Sequence, residues 1–132
     1  MTRAVLFAAL LLASTTLAAS AGKLAPARSV EMMLGDVAVM ASAKDDRCTV
    51  TLDEATAPQG YKIGFFDDSC QKAFPVMGKV AAWRVYTDGT MAFTDDQGQD
   101  LITFKKGKGF QRRAVTKIDG IERIWSQQEF AE

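Results

Sequence analysis

Histidine is absent from the 132 residues. That excludes a Ser-His-Asp or Cys-His catalytic pair, and it excludes any histidine-ligated zinc site. No apolar run reaches the roughly 20 residues that a membrane-spanning helix needs. The chain also lacks an excess of charge of one sign, with 16 basic and 16 acidic residues. A nucleic-acid binder should show a basic stripe, so that class is disfavoured. No glycine-rich motif follows a strand to cradle phosphate. No repeat, low-complexity tract or linker divides the chain, and its length suits one domain.

The N-terminus has the three parts of an export signal. Arg3 supplies the positive region, Ala4 to Ala13 the apolar region, and Ala19-Ser20-Ala21 a small-residue cleavage site. Cleavage after Ala21 leaves Gly22 as the new N-terminus, and cleavage after Ala19 is the alternative. No cysteine lies near either site to carry a lipid. The expected product is a periplasmic or secreted protein without a membrane anchor, about 111 residues long, enough for one core. Residues 22–28 show no periodicity and read as an extended arm, with Pro26 biasing Ala25 toward extended backbone. The remainder, 29–132, reads as a single β-barrel domain.

Cys48 and Cys70 are the only cysteines. In an exported chain they read as one disulfide, against two buried free thiols. Such a bridge closes a loop of about 22 residues, which stabilises by roughly 3 kcal/mol on the chain-entropy model.

Ser29 is positioned to cap a short helix through Leu34, with Glu31 in its first turn and Met32, Met33 and Leu34 as its apolar face. After Gly35 the pattern alternates. Cys48, Val50 and Leu52 share one face, and Thr49, Thr51 and Asp53 share the other. Tyr61, Ile63 and Phe65 alternate likewise after Pro58-Gln59-Gly60. Trp83 and Val85 face inward, with Arg84 and Tyr86 opposite. Asp88-Gly89 is a hairpin signal, after which Met91 and Phe93 point inward. Further turns at Asp95–Gly98, Lys106–Gly109 and Asp119-Gly120 separate strands at Leu101–Lys105, Phe110–Thr116 and Ile121–Ser126. With Val37–Ala41 this makes about eight short strands, spaced by roughly ten residues, as in an antiparallel sandwich or barrel. Consecutive hairpins favour an up-and-down barrel of the calycin or streptavidin kind, which has no exposed edges. Cys70 to Phe74 reads as one helical turn stopped by Pro75.

Few residues invite chemistry. The pairs Asp45-Asp46, Asp67-Asp68 and Asp95-Asp96 sit beside turns or strand ends, where aspartate bonds local backbone. Asp95, Gly98 and Asp100 lack the ligand spacing and closing glutamate of a calcium loop. The basic cluster Lys105-Lys106-Gly107-Lys108 with Arg112-Arg113 reads as a solvated hairpin end. Trp83 and Trp125 read as core anchors. No cofactor and no metal of the chain's own is expected.

The order and spacing of three segments resemble a known family. They are Cys48-Thr49-Val50-Thr51-Leu52, then Cys70-Gln71-Lys72-Ala73-Phe74-Pro75, then Ala82-Trp83-Arg84 with Asp88-Gly89. Across residues 31–113 the chain is similar to the small bacterial inhibitors of serralysin-type (alkaline) metalloproteases. Val37 stands where that family commonly has tryptophan, and the Met40–Arg47 segment is a residue or two longer. The resemblance implies a compact eight-stranded antiparallel barrel with a Cys48–Cys70 disulfide. It implies a monomer that binds one secreted zinc metalloprotease, 1:1, and protects the producing cell. The mature arm, here Gly22, Lys23, Leu24, Ala25 and Pro26, would enter the protease cleft. Gly22 would bring its α-amino group to the zinc, and Leu24 would anchor a subsite. The alternative is a calycin-like carrier holding a small apolar ligand inside the barrel.

Overall fold

The computed structural model describes residues 23–26, 30–42, 45–107 and 109–130. The signal segment 1–21, Gly22, the Ser29 cap and Lys108 lie outside them. Eight strands follow in chain order: β1 (Gly35–Ser42), β2 (Asp45–Ala57), β3 (Gly60–Phe65), β4 (Ala82–Val85), β5 (Met91–Thr94), β6 (Asp100–Phe104), β7 (Gly109–Ile118) and β8 (Ile121–Phe130). They close into an antiparallel barrel in that order. The seam pairs β1 with β8 through Val37↔Ser126 and Val39↔Ile124. This is the up-and-down barrel that the hairpin signals imply.

Alternation decides what lies inside. Val37 and Val39 sit opposite Val50 and Cys48. These join Leu52, Trp83, Phe93 and Phe104 in one buried cluster. The rings of Phe93 and Phe104 meet edge to face at 5.1 Å. Trp83 is fully buried, and its indole N–H donates to the carbonyls of Asp53 and Lys62, each at 3.0 Å. β2 slips out of register with β3 between Leu52 and Thr56, so the Asp53 carbonyl there can accept from the indole rather than from a ladder partner.

The two mouths are closed differently. In an up-and-down barrel the connections alternate between ends. The β3–β4 connection therefore lies at the end opposite the N-terminal segment. It carries a helix, α1 (Ser69–Ala73), and a 3₁₀ turn (Pro75–Lys79) that the sequence pattern did not announce. Phe74 and Met77 from this connection are buried in the core. Cys70 of α1 is disulfide-bonded to Cys48 of β2, with Cα atoms 5.1 Å apart. Asp119, in the β7–β8 turn, accepts the Val76 N–H at 2.6 Å. At the other mouth Val30 and Met33 enter the core.

Two sequence expectations are corrected. The helix expected to run from Ser29 through Leu34 is helical, among the described residues, only at Val30–Glu31, and it ends in a turn with Met33 N–H donating to the Val30 carbonyl at 2.9 Å. β1 begins at Gly35, with φ +114, so the chain has to leave the helix before Leu34 to enter the strand ladder. Met32 is consequently exposed rather than part of an apolar helix face. Trp125, read as a core anchor, is 39% exposed. β7 and β8 shift register between Arg113 and Ile118. Ile121, Ile124 and Ser126 are buried, and Trp125 falls on the outer face.

Cys48→Ser should lower stability by about 3 kcal/mol. A melting temperature that matches the wild type in both oxidising and reducing buffer would rule that out. Trp83→Phe removes a donor shared by two carbonyls and opens space in the core. Urea denaturation should show a loss of about 2–4 kcal/mol, with the slope unchanged.

Candidate functional site

β3 meets β4 at one register position, Tyr61↔Trp83, where the two rings lie 5.4 Å apart. The approach is tight. A Cβ on Gly60, whose φ is +152, would fall 2.5 Å from the Trp83 carbonyl. Beyond Trp83 the β3-facing edge of β4 has no strand beside it. Its other edge is occupied by β5, and Tyr86 closes the hairpin by donating its N–H to Thr90 and accepting from Gly89.

The N-terminal arm fills that vacancy. Leu24 bridges Tyr86 in antiparallel fashion. Thr87 N–H donates to the Lys23 carbonyl at 2.8 Å, and Ala25 N–H donates to the Val85 carbonyl at 2.9 Å. Lys23–Ala25 thus forms a three-residue added strand. Ala25 packs against the core, whereas Lys23, Leu24 and Pro26 are exposed, Leu24 by 58%. Of the five arm residues expected to act, Lys23, Leu24 and Ala25 are placed together on one edge, Pro26 follows them exposed, and Gly22 lies outside the described residues.

Tyr86 is held from beneath. Its hydroxyl donates to Asp100 Oδ2 at 2.6 Å. Arg84 donates through Nη2 and Nε to Asp100 Oδ1, at 2.8 and 3.1 Å, and through Nη2 to the Gly98 carbonyl at 2.6 Å. The guanidinium also lies 5.6 Å from the centre of the Tyr86 ring. Burial, then the hydrogen bond and charge of Asp100, push the Tyr86 hydroxyl up to about 12. For Arg84, burial is the largest influence and would lower the pKa, but the bond and charge of Asp100 together with Tyr86 outweigh it, and the group is held above its ordinary value. Alternation had placed Arg84 and Tyr86 outside the barrel, which they are. Tyr86 is nonetheless only 4% exposed. The pattern of its own strand carried no sign of the arm that crosses it, nor of the partner Asp100 two strands away.

The basic cluster is partly corrected. Lys105 and Lys106 are exposed, as a solvated hairpin end requires. Arg112 is buried, and its Nη1 donates to the Gly89 carbonyl at 2.6 Å. Burial pulls its pKa down. Gly89, with φ +86, has the Lys106 side chain where a Cβ would stand, 2.7 Å away. The β4–β5 and β6–β7 hairpins therefore touch beside the seat of the arm. Two of the three carboxylate pairs bond local backbone, and the side chains of Asp45-Asp46 lie outside those described. Asp67 accepts the Ser69 N–H, and Asp95 accepts from Gln97 and Gln99.

The barrel interior offers a ligand little room. Trp83, Phe93, Phe104, Leu52 and Met77 fill it with side chains that are almost wholly buried. A surface pocket lined by Ala57, Pro58, Gln59, Ala81, Ala82 and Asp96 measures ≈ 80 Å³. Small-molecule sites span about 300–1,000 Å³.

Tyr86→Phe should cost about 1.5 kcal/mol at pH 8, because a hydrogen bond to a charged acceptor is lost. The folded pKa of Tyr86 lies above its unfolded value of about 10. The stability gained from the protonated hydroxyl is full below pH 10 and disappears as pH rises through about 12. Melting curves of the two proteins should therefore converge between pH 10 and 12. A gap that stays constant over that range would dismiss the Tyr86–Asp100 coupling.

Comparison with known proteins gives one finding: a family model described as "Protease inhibitor Inh" matches residues 27–120. No curated protein and no solved structure matches significantly.

Proposed function

The chain belongs to the Inh family of protease inhibitors, and from that premise we propose that its target is a zinc metalloprotease of the serralysin type. The exported protein, periplasmic or secreted after removal of residues 1–21, binds its target 1:1. The arm beginning at Gly22 enters the cleft. The α-amino group created by signal cleavage takes the coordination position that a catalytic zinc keeps open for water. The observation that carries this reading is the position of Lys23–Ala25. They lie at the rim of a filled barrel, with the Leu24 side chain turned to solvent.

The chemistry suits the residues. An α-amino group has a pKa of about 7.7–8.0, so a lone pair is available near neutral pH at small cost. An amine on the metal displaces the nucleophilic water and presents no bond to cleave. Leu24 supplies an apolar side chain for a subsite. The rest of the barrel contributes rigidity, which lowers the ordering cost of binding. The carrier reading draws no support from a core filled by Trp83, Phe93 and Phe104.

The test uses protein that starts at Gly22, confirmed by mass, beside a variant carrying one additional N-terminal residue. Titrated against a serralysin-type protease, the first should inhibit tightly and the second weakly. Inhibition by the first should also weaken as pH falls below about 7.5, where protonation competes with the metal for the amine. Equal inhibition by the two proteins would move the site from the terminus to the barrel surface.

A further inference from the structure

In an antiparallel pair, each residue directs its backbone N–H and C=O to one edge, alternately toward and away from the partner. The bonds from Thr87 to Lys23 and from Ala25 to Val85 fix this alternation in the arm. Leu24 therefore forms a pair with Tyr86 that is not itself hydrogen-bonded. The N–H and C=O of Leu24 point away from β4. Among the described residues neither has a backbone partner.

An open strand edge is a template for another strand, and proteins normally blunt it. Here the blunting is one-sided. Pro26, the next residue of the same parity, has no N–H to offer. Among the described residues the open edge thus narrows to the N–H and C=O of Leu24. Its side chain is exposed beside it, and its backbone is steadied through Tyr86 by Asp100 and Arg84.

We propose that the arm stays seated on β4 in the complex and offers the outward edge at Leu24 to an edge strand of the protease cleft. Resting on the metalloprotease reading above, this makes Lys23–Ala25 a middle strand, with the inhibitor barrel on one side and the enzyme on the other. It is strand addition, in which backbone bonds give affinity and an alternate side chain gives selectivity. Tyr86, Asp100 and Arg84 are positioning residues, since they act through the arm.

Two variants separate the two edges. Ala25→Pro deletes the N–H that binds Val85 and leaves the outward edge intact. Leu24→Pro deletes the outward N–H and leaves both bonds to β4 available. Amide hydrogen exchange at Thr87, measured without protease, reports whether the arm is seated. Thr87 should be protected in wild type and in Leu24→Pro, and should exchange freely in Ala25→Pro. Against a serralysin-type protease, each lost backbone bond should weaken inhibition by about tenfold, because one hydrogen bond is worth roughly 1.4 kcal/mol.

Full inhibition by Ala25→Pro would mean that the arm leaves β4 to bind, and the proposal falls. Full inhibition by Leu24→Pro would mean that the outward edge is unused, with the same consequence. A concentration-dependent dimer abolished by Leu24→Pro would assign that edge to a second copy of the chain instead. If wild-type protein fails to inhibit, the metalloprotease reading falls with this one. That failure is distinguishable because it precedes any comparison of variants, and Thr87 protection still reports the seat.

Discussion

The rest of the molecule is organised by the early parting of β3 from β4. A closed barrel must satisfy every strand edge, yet these two neighbours meet at one register position, Tyr61↔Trp83. Three features follow from that single contact. Gly60 lies so close to the Trp83 carbonyl that a side chain there would have to displace backbone. The connection between the two strands is free to cross one mouth and plug it with Phe74 and Met77. The edge of β4 beyond Trp83 is left for the arm. The indole of Trp83 secures the junction from inside by donating to β2 and β3 together, so a point of sparse pairing is also a point of dense packing.

The barrel was legible in the sequence wherever alternation was clean. Cys48, Val50 and Leu52 read as one face and are one face, and Asp88-Gly89 read as a hairpin and is one. Reading failed where residue size misled or a non-local partner intervened. Trp125 was misread because its size suggested a core anchor, whereas its strand neighbours Ile124 and Ser126 take the inward positions opposite Val39 and Val37. Tyr86 was rightly placed outside, but its burial depends on distant chain: Leu24 across it and Asp100 beneath it. The 3₁₀ turn after Pro75 also escaped notice. Besides the favourable Pro75 at its first position, it is held by burial of Met77 and by Asp119, which accepts the Val76 N–H from 43 residues away. Lys23–Pro26 could be named from the family resemblance, but their seat on β4 could not, because three residues carry too little pattern to announce a strand.

A seated arm changes the energetics of binding. A free terminal segment loses backbone entropy of about 1–2 kcal/mol for each residue it orders. Lys23, Leu24 and Ala25 meet most of that cost when the barrel folds, through two backbone bonds and the packing of Ala25. Less remains to be lost on meeting a partner, which is the general advantage of preorganisation. Arg84, Tyr86 and Asp100 extend this rigidity to the surface on which the arm rests. Their linkage of charge, ring and carboxylate spans β4 and β6, so the seat is braced across three strands.

The two ends of the barrel divide the demands on such a molecule. A protease inhibitor has to resist cleavage, and cleavage requires a segment that can open locally and extend. Residues 66–81 form the long β3–β4 connection and are the natural target. They are also the most tied: by the disulfide at Cys70, by burial of Phe74 and Met77, and by the bond from Val76 to Asp119. Opening this connection would therefore mean breaking core packing. The arm end has the opposite character, with short hairpins around an exposed strand. Placing the covalent clamp at the far mouth leaves the arm end free of constraint on what it contacts, while the rigidity it imposes reaches that end through the shared core. Stability and presentation are thus served by different ends of the same eight strands.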